Sequence, residues 1–524
     1  MKQIDVETIL LVTVIAVIVA TVVYMGTVPL LRYIIKKIVM AIATKLATDK
    51  YTENLAEALP SLKRISILHT LELSLRAEEG KIITRPLGTP KHFFGFENLM
   101  FTPRQMTRMP IPVSQSVNMN VILGPSAKQP LQLKIPLMIS GMGYGLALSE
   151  NTKIALVRAA NALGTALSSG EGPLLPEEVA ETECYVLQIA RWSWGERTIA
   201  EIRSAEMLEV QMGQGADIGS SVFPVAEMRG RAARIVGLSA GQEAVSFPAP
   251  PGINKLADWP AFMAQLREKA AGIPIALKLM ATDNIEADLD EAVRLDFDVV
   301  VIDGAQGGAH ATPPIKQDDF GIPTLYALIR ARRHLDQVKA RGGKEISLVI
   351  AGGFFTPGQC LKALTLGADA VYLGTVPLFA LVHNQLGKVF PWEPLTTLVF
   401  YDSPSSGVLD IDKAAQSVTN VIKSMVLEME EAIRALGKTS LQELNSTDLV
   451  ALDEITADLT GVRLAYQKRF CSQADETSGE GTMQGSEKSS FMQVLAQETG
   501  MTCNEIRGYL LRYHERHKKN SKDS

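Results

Sequence analysis

Lys278 stands out because it lies within the apolar run IALKL (275–279). A lysine inside such a run must find a charge partner or lose its proton, since burying an unpaired ammonium group costs free energy. It would either stabilise negative charge on a bound cofactor or form a structural ion pair with Asp303 on the next apolar run. We predict the functional role, because perturbed ionisable groups cluster at functional sites.

Other side chains near the ends of apolar runs are weaker candidates. Glu171 in SSGEGP would position an ammonium ion or a substrate amine, or would only form a turn. The Gln214 amide would bind a polar ring, or would satisfy loop backbone. The lone loop histidine His310 is predicted to lie at the surface. Met138 and Met142 are predicted to pack in the core.

Glycines follow several of the apolar runs. A glycine at such an end lets backbone amides approach a phosphate, because no side chain blocks the anion. The residues concerned are Gly307, Gly308, Gly352, Gly353, Gly374 and the adjacent Thr375. They predict a phosphate-bearing cofactor at this edge of a sheet.

Eight short apolar runs alternate with segments of helical pattern and predict the strands that carry these residues. The predicted strands are 135–140, 165–169, 207–212, 242–247, 275–279, 298–303, 347–352 and 370–374. Eight strands alternating with helices favour a (β/α)8 TIM barrel, and an open doubly wound sheet is the alternative. In a barrel the strand ends converge on one mouth, where the phosphate commonly lies after the last two strands.

The segment 8–31 is uncharged and apolar. A helix needs about 20 apolar residues to cross a bilayer, so this segment predicts a transmembrane helix. Acidic residues precede it and Arg32, Lys36 and Lys37 follow, which predicts a single-pass cell-membrane protein with a cytoplasmic catalytic domain. A signal peptide and a buried hairpin helix are the alternatives.

The remaining segments surround the predicted barrel. We expect an N-terminal extension packed on the barrel at 38–130, and the barrel with closing helices at 131–465. A flexible linker is expected at 472–490, because it is rich in Ser, Gly and acidic residues, followed by a short helical basic tail at 491–524.

Composition limits the possible partners. The net charge of -5 gives no electrostatic basis for binding nucleic acid. The four cysteines are far apart and lack CxxC spacing, so no disulfide framework, zinc site or iron–sulfur site is predicted. A reducing compartment fits this pattern.

Taken together, the motifs resemble a known family. SGMGYGLALS, SSGEGP, QMGQGADIGSS, SFPAPPGINKLADW, IALKL, DGAQGGAHATP, AGGFFTPG and GADAVYLGTVPL occur in that order. They are similar to the FMN- and 2-oxoglutarate-binding domain of glutamate synthases, over roughly residues 100 to 465. The resemblance implies a barrel that holds FMN and passes a hydride to the imine formed from 2-oxoglutarate and ammonia.

The resemblance also implies roles for individual residues. Met142 and Gly143 would lie near the flavin ring, and Lys278 and Gln214 would contact it. Glu171, singled out above from its own position, joins these two in the predicted catalytic set. The phosphate would be surrounded by Gly307, Gly308, Gly352, Gly353, Gly374 and Thr375. Ser140, Ser168 and Asp303 complete the predicted cofactor-binding set, and no metal site is predicted.

The chain departs from the family pattern at several positions. Asp217 stands where the family usually has a basic residue, and Arg191 in RWSWGE is displaced from the family position. A dicarboxylate needs cationic partners, so these departures question 2-oxoglutarate as the acceptor. The segment after GTVPL lacks the family's cluster cysteines, and no glutaminase half is seen. The electron donor is therefore unidentified, ammonia would come free or from a partner, and a homo-oligomer is possible.

Four other interpretations compete with this one. An IMP dehydrogenase would need a nucleophilic cysteine in the loop after the sixth strand, where DGAQGGAHATP has none. A 2-hydroxy-acid oxidase would need a histidine base with arginines there, and His310 is alone. A membrane-tethered flavoprotein with a different acceptor, or an inactive scaffold that kept the fold, remains the alternative function.

Overall fold

The computed structural model describes residues 6–220, 222–223, 228–239, 242–310, 312–401 and 403–467. The predicted linker at 472–490 and the predicted tail at 491–524 lie outside these residues. The chain forms two compact units that divide between Ile83 and Thr84, within the predicted 38–130 extension. The packing of the 38–130 extension on the barrel stays a prediction.

The first unit is helical. Its helices are α1 (Val6–Thr48), α2 (Ala58–Ile65) and α3 (Ile67–Glu79), with 3₁₀ turns at Tyr51–Glu53 and Leu55–Glu57. The predicted 8–31 span lies within α1, and the stretch Leu10–Thr48 is long and apolar enough to cross a membrane. Large apolar side chains of α1 are exposed, among them Ile18, which is 56% exposed. Such exposure suits a helix whose surroundings are apolar.

The second unit contains every strand of the described residues. In chain order these are β1 (Leu99–Phe101), β2 (Val121–Leu123), β3 (Leu131–Leu133), β4 (Leu137–Ile139), β5 (Leu167–Ser168), β6 (Tyr185–Ile189), β7 (Met207–Gln211), β8 (Val222–Phe223), β9 (Ala244–Val245), β10 (Ile275–Met280), β11 (Val299–Asp303), β12 (Ser347–Ala351), β13 (Ala370–Leu373) and β14 (Leu449–Ala451). Eight parallel strands close a barrel in the order β4-β5-β6-β7-β10-β11-β12-β13. The predicted (β/α)8 barrel is confirmed.

One predicted barrel strand is wrong. Segment 242–247 contributes only β9, which pairs antiparallel with β8 outside the barrel. The third barrel strand is instead β6, whose apolar run is interrupted by Gln188. That amide is tolerated inside the barrel because its Nε2 donates to Glu209 Oε1 on β7 at 2.5 Å. The sequence pattern favoured 242–247 because this polar interruption concealed β6.

Helices surround the barrel and close it. They are α4 (Glu150–Leu163), α5 (Pro176–Glu181), α6 (Ile199–Arg203), α7 (Gly230–Ile235), α8 (Trp259–Ala270), α9 (Ile285–Arg294), α10 (Pro314–Asp318), α11 (Thr324–Ala340), α12 (Pro357–Thr365), α13 (Thr375–Val382), α14 (Ile411–Ala435) and α15 (Glu454–Thr460). Ser149 caps α4 by accepting from the Thr152 amide. The barrel strands are almost wholly buried because helices cover their outer faces.

Two further short antiparallel strand pairs lie outside the barrel. β1 pairs antiparallel with β14, which joins the segment before the barrel to the segment after it. β2 and β3 form an antiparallel pair just before the first barrel strand. The preceding segment is fixed near the mouth, because Arg85 forms an ion pair with Asp318 of α10 at 2.5 Å.

Candidate active site

A cavity of about 530 Å³ lies at the carboxyl ends of the barrel strands. Its volume falls within the range of small-molecule and cofactor sites, about 300–1,000 Å³. The predicted site residues that line it are Ser140, Met142, Gly143, Glu171, Gln214, Asp303, Gly307, Gly308, Gly352, Gly353, Gly374 and Thr375. Ser168 and Lys278 are buried in the barrel rather than exposed in the cavity wall. The structure therefore gathers most of the predicted set at one mouth.

Lys278 belongs to a charged centre inside the barrel. Its Nζ lies 3.9 Å from Glu209 Oε1 and 5.8 Å from the centroid of the Tyr372 ring. Glu209 Oε2 accepts a hydrogen bond from Tyr372 Oη at 3.0 Å, and Gln188 donates to Oε1. The carboxylate in this ion pair is thus Glu209 rather than Asp303. Tyr372 and Gln188 also line the cavity. The Lys278–Glu209 pair therefore lies directly behind the cavity wall.

Two buried polar groups near this centre lack hydrogen-bond partners within the described chain. Both amide atoms of Gln211 and the Oδ1 atom of Asp303 are buried without a partner. Burial raises the pKa of the Asp303 carboxyl, and the nearby Lys278 opposes that rise. Buried polar groups are normally paired, so a bound polar molecule that supplies partners fits this place.

The ends of β12 and β13 carry Gly352, Gly353 and Gly374 of the predicted phosphate-binding set, and we call these three residues the glycine cradle. Gly352 and Gly353 have φ angles of +107° and +77°, which side-chain-bearing residues rarely adopt. A Cβ added to Gly374 would meet nothing within 4 Å, so neighbouring protein atoms leave this space open. α13 begins at Thr375 and turns its first amides toward the same place. This arrangement suits a phosphate group.

Glu171, in the loop after β5, lies against two tryptophans. Trp192 Nε1 donates to Glu171 Oε2 at 3.0 Å, and Trp194 Nε1 donates to the Glu171 carbonyl at 2.9 Å. The two indole rings are stacked 5.1 Å apart. Burial raises the pKa of the Glu171 carboxyl, the charge of Asp217 adds to the rise, and Arg191 opposes it. A turn-forming role alone does not account for these contacts.

Arg191 and Asp217, the two departures noted in the sequence, contact each other. Arg191 Nη2 lies 2.8 Å from Asp217 Oδ2, and Nη1 donates to the Gly219 carbonyl at 2.6 Å. The Arg191 side chain is fully buried, whereas Asp217 lines the cavity. The loop that carries Asp217 is folded back by two backbone hydrogen bonds between Gln214 and Asp217. The two departures therefore compensate each other in charge.

The model of the conserved region in glutamate synthase matches residues 92–439. The chain belongs to the glutamate synthase family. It is 32% identical to the glutamate synthase large subunit-like protein of Rhizobium meliloti (strain 1021), over 75% of this chain and 92% of that protein. It is 30% identical to the archaeal glutamate synthase [NADPH] of Methanocaldococcus jannaschii, over 64% and 66% of the two chains. The predicted family is confirmed.

Two solved structures are similar to this chain over most of their length. Mandelate oxidase with (S)-4-hydroxymandelic acid is 15% identical, with a TM-score of 0.44 over 67% of this chain and 86% of that chain. A variant of flavocytochrome b2 with sulfite bound is 16% identical, with a TM-score of 0.44 over 75% and 84% of the two chains.

The predicted surface position of His310 is wrong in this glutamate synthase family member. It was expected at the surface, but it lines the cavity, and its ring centroid lies 4.3 Å from that of Phe400. Burial lowers the pKa of its imidazole to about 4. Loop histidines are usually exposed, and nothing in the local sequence showed that Phe400 would cover this one.

Several residues of the site were not singled out from the sequence. They are Gln188, Trp192, Glu209, Gln211 and Tyr372. A signal existed for Glu209, because it is a charged residue inside the apolar run MLEVQM, as Lys278 is inside IALKL. Gln188 and Trp192 were missed together with β6, the strand that positions them.

Proposed function

We propose that this glutamate synthase family member is an FMN-dependent oxidoreductase that reductively aminates a 2-oxo acid, either 2-oxoglutarate or a related acid. The observation that carries the proposal is the glycine cradle at the ends of β12 and β13, combined with the Lys278–Glu209 centre beside the same cavity. An anionic cofactor tail and a polar ring both find partners in this arrangement.

The residues fit FMN by their chemistry. Backbone amides of Gly352, Gly353, Gly374 and Thr375 would hold the phosphate, because glycine backbone and a helix N-terminus both favour anions. Asp303 and Gln211 have buried polar atoms without hydrogen-bond partners, and these atoms would form hydrogen bonds with the flavin ring. When bound, FMN supplies the hydride chemistry of the reaction. Lys278, held in position by Glu209, would place its ammonium group beside the ring.

Glu171 is the proposed acid–base residue on the acceptor side. Its raised pKa allows the carboxyl to hold a proton nearer neutral pH than an exposed glutamate does. The Trp192 hydrogen bond fixes Oε2, so the carboxyl has one orientation toward the cavity. In its ionised form the same group would bind ammonium or the substrate amine.

We also propose that α1 anchors the chain in the cell membrane as a single span, with the catalytic unit in the cytoplasm. The length and apolar character of α1 support the anchor. The basic residues that follow the 8–31 segment support the orientation.

The test is anaerobic photoreduction of the FMN-loaded protein, followed by addition of a 2-oxo acid, ammonium or both. Reoxidation of the flavin that requires both additions supports reductive amination. Reoxidation by another acceptor without ammonium would replace the proposal with a different flavoprotein activity. A flavin that no 2-oxo acid reoxidises, with or without ammonium, would favour the inactive scaffold.

A further inference from the structure

The acceptor side of the cavity has few positive charges to offer an anionic substrate. In the described part of the wall, the lysines are Lys91 and Lys316 and no arginine is present. Lys91 is already paired with Asp319, at 2.7 Å. The wall also contains the carboxyl groups of Glu171 and Asp217.

Arg191 is a cation close to both of these carboxyl groups, but it already forms an ion pair with one of them. It is fully buried, it forms the 2.8 Å ion pair with Asp217, and it donates to Gly219. A buried guanidinium that is paired in this way is held by its partner rather than by a ligand. The Nε atom of Arg191 has no partner among the described residues, but Arg191 is not part of the cavity wall, so it supports the loop from behind that wall rather than offering a second anion site.

Lys316 is the other lysine of the described cavity wall. Its Nζ donates to the carbonyl of Ile218, the residue after Asp217, at 2.8 Å. No carboxylate of the described residues forms an ion pair with it. An ammonium group with two further donor hydrogens can bind one carboxylate of a ligand.

We propose that the acceptor carries one carboxylate: a 2-oxo acid with an apolar side chain, bound through Lys316, rather than the dicarboxylate 2-oxoglutarate. This inference rests on the proposed function and names its substrate class. A second carboxylate would lie beside the Glu171 carboxyl and the charge-compensated Arg191–Asp217 pair, with no free cation to bind it, which disfavours its binding. The neighbouring wall is apolar or aromatic instead, with Leu146, Trp192 and Phe400.

The first experiment compares 2-oxoglutarate with 2-oxopentanoate, which carries a methyl group in place of the second carboxylate. Binding to the full-length, FMN-loaded protein is measured by equilibrium titration of tryptophan fluorescence, since the Trp192–Trp194 stack borders the site. Reoxidation of the reduced flavin with ammonium is measured in parallel. We expect 2-oxopentanoate to bind at least about 10-fold more tightly, the effect of one unfavourable charge contact of about 1.4 kcal/mol.

The second experiment uses Asp217→Asn, which keeps the shape of the side chain and frees the charge of Arg191. We expect 2-oxoglutarate to gain about 10-fold in affinity and 2-oxopentanoate to change little. Asp283→Asn is the matched control, because Asp283 is 96% exposed and pairs with Arg330 away from the cavity. If Asp217→Asn fails to fold, the double variant Arg191→Gln/Asp217→Asn removes both charges and should give no selective gain for 2-oxoglutarate. A selective gain in the double variant would contradict the role of Arg191.

Lys316→Met tests the remaining cation. It should weaken binding of 2-oxopentanoate by about 10-fold, because the carboxylate loses its charged partner. Equal or tighter binding of 2-oxoglutarate by the wild-type protein would overturn the inference while leaving reductive amination intact. If neither acid with ammonium reoxidises the flavin, the proposed function itself fails, so the two failures are distinguishable.

Discussion

Lys278 and Glu209 are two charged residues on neighbouring strands inside an otherwise apolar barrel. Their side chains are almost fully buried, and an ion pair in such a place is costly unless further hydrogen bonds support it. Gln188 and Tyr372 provide that support to Glu209. Lys278 was predicted because a lysine in an apolar run is conspicuous. Its partner could not be assigned from the sequence, since Asp303 and Glu209 both lie on strands adjacent to β10.

Replacing Lys278 with methionine should reduce turnover more than it reduces stability. The hydrogen bonds of Glu209 remain, whereas the positive charge beside the cofactor is lost, an effect of about 100-fold or more in rate. Anaerobic flavin reoxidation and thermal unfolding would be measured on the same preparation. Lys153→Met is the matched control, because Lys153 is equally buried and pairs with Glu178 at 2.8 Å. The control should lose stability and activity together, and the same joint loss in Lys278→Met would assign Lys278 a structural role.

His310 predicts a pH dependence of stability. Its folded pKa of about 4 lies below the ordinary value of 6.5 because the imidazole is buried. Below pH 6.5 the unfolded chain therefore binds a proton that the folded chain does not. The free energy of unfolding should fall between pH 6.5 and 4, by up to about 3 kcal/mol from this residue alone.

The measurement is urea unfolding at several pH values for the wild-type protein and His310→Gln. The variant cannot titrate at this position, so its stability should fall less steeply over the same range. Above pH 7 the slopes of the two proteins should agree, because both side chains are neutral there. Identical slopes at low pH would contradict the assigned shift.

At the scale of elements, Gly374 lies at the junction of β13 and α13. A substitution there should change cofactor binding without changing folding. Its φ of -110° is open to other residues, and an added Cβ meets no protein atom within 4 Å. Gly374→Ala should therefore fold normally but place a methyl group where the phosphate would lie. We expect FMN affinity to fall by about 10-fold or more, as for a lost charge-assisted contact.

The control for this substitution is Gly407→Ala, at a glycine whose added Cβ also meets nothing within 4 Å. It lies in the 3₁₀ turn Ser406–Val408 and is not part of the cavity wall. FMN titration by fluorescence quenching should give the wild-type affinity for this control. An unchanged affinity in Gly374→Ala would place the phosphate elsewhere.

The elements show where sequence reasoning succeeded. Continuous runs such as SLVIA and AVYL predicted barrel strands, because strands covered on both faces have few polar interruptions. β6 was missed because Gln188 belongs inside the barrel only when Glu209 accepts its hydrogen bond, a contact between different strands. The glycines at the cavity were found from local backbone chemistry, and their phosphate-binding role stays a prediction. The Arg191–Asp217 pair was not predicted, because it joins loops that are adjacent only after folding.

At the scale of the whole molecule, the account predicts that α1 holds the chain in a bilayer. Ile18→Arg places a charge within the predicted 8–31 span, at an insertion cost of about 2.5–3.5 kcal/mol. Ser74→Arg is the control, because Ser74 is an exposed residue of α3, outside the apolar stretch Leu10–Thr48. The Ile18 variant should leave the carbonate-resistant membrane fraction more readily than the control and the wild type. Equal retention of all three would argue against the 8–31 segment as the membrane span.

The most direct test of the account is titration of the purified full-length protein with FMN. The glycine cradle and the unmatched polar atoms of Asp303 and Gln211 predict a yellow protein that binds one FMN per chain, with weaker binding in Gly374→Ala. A correctly folded, colourless protein that takes up no added FMN would contradict the central claim.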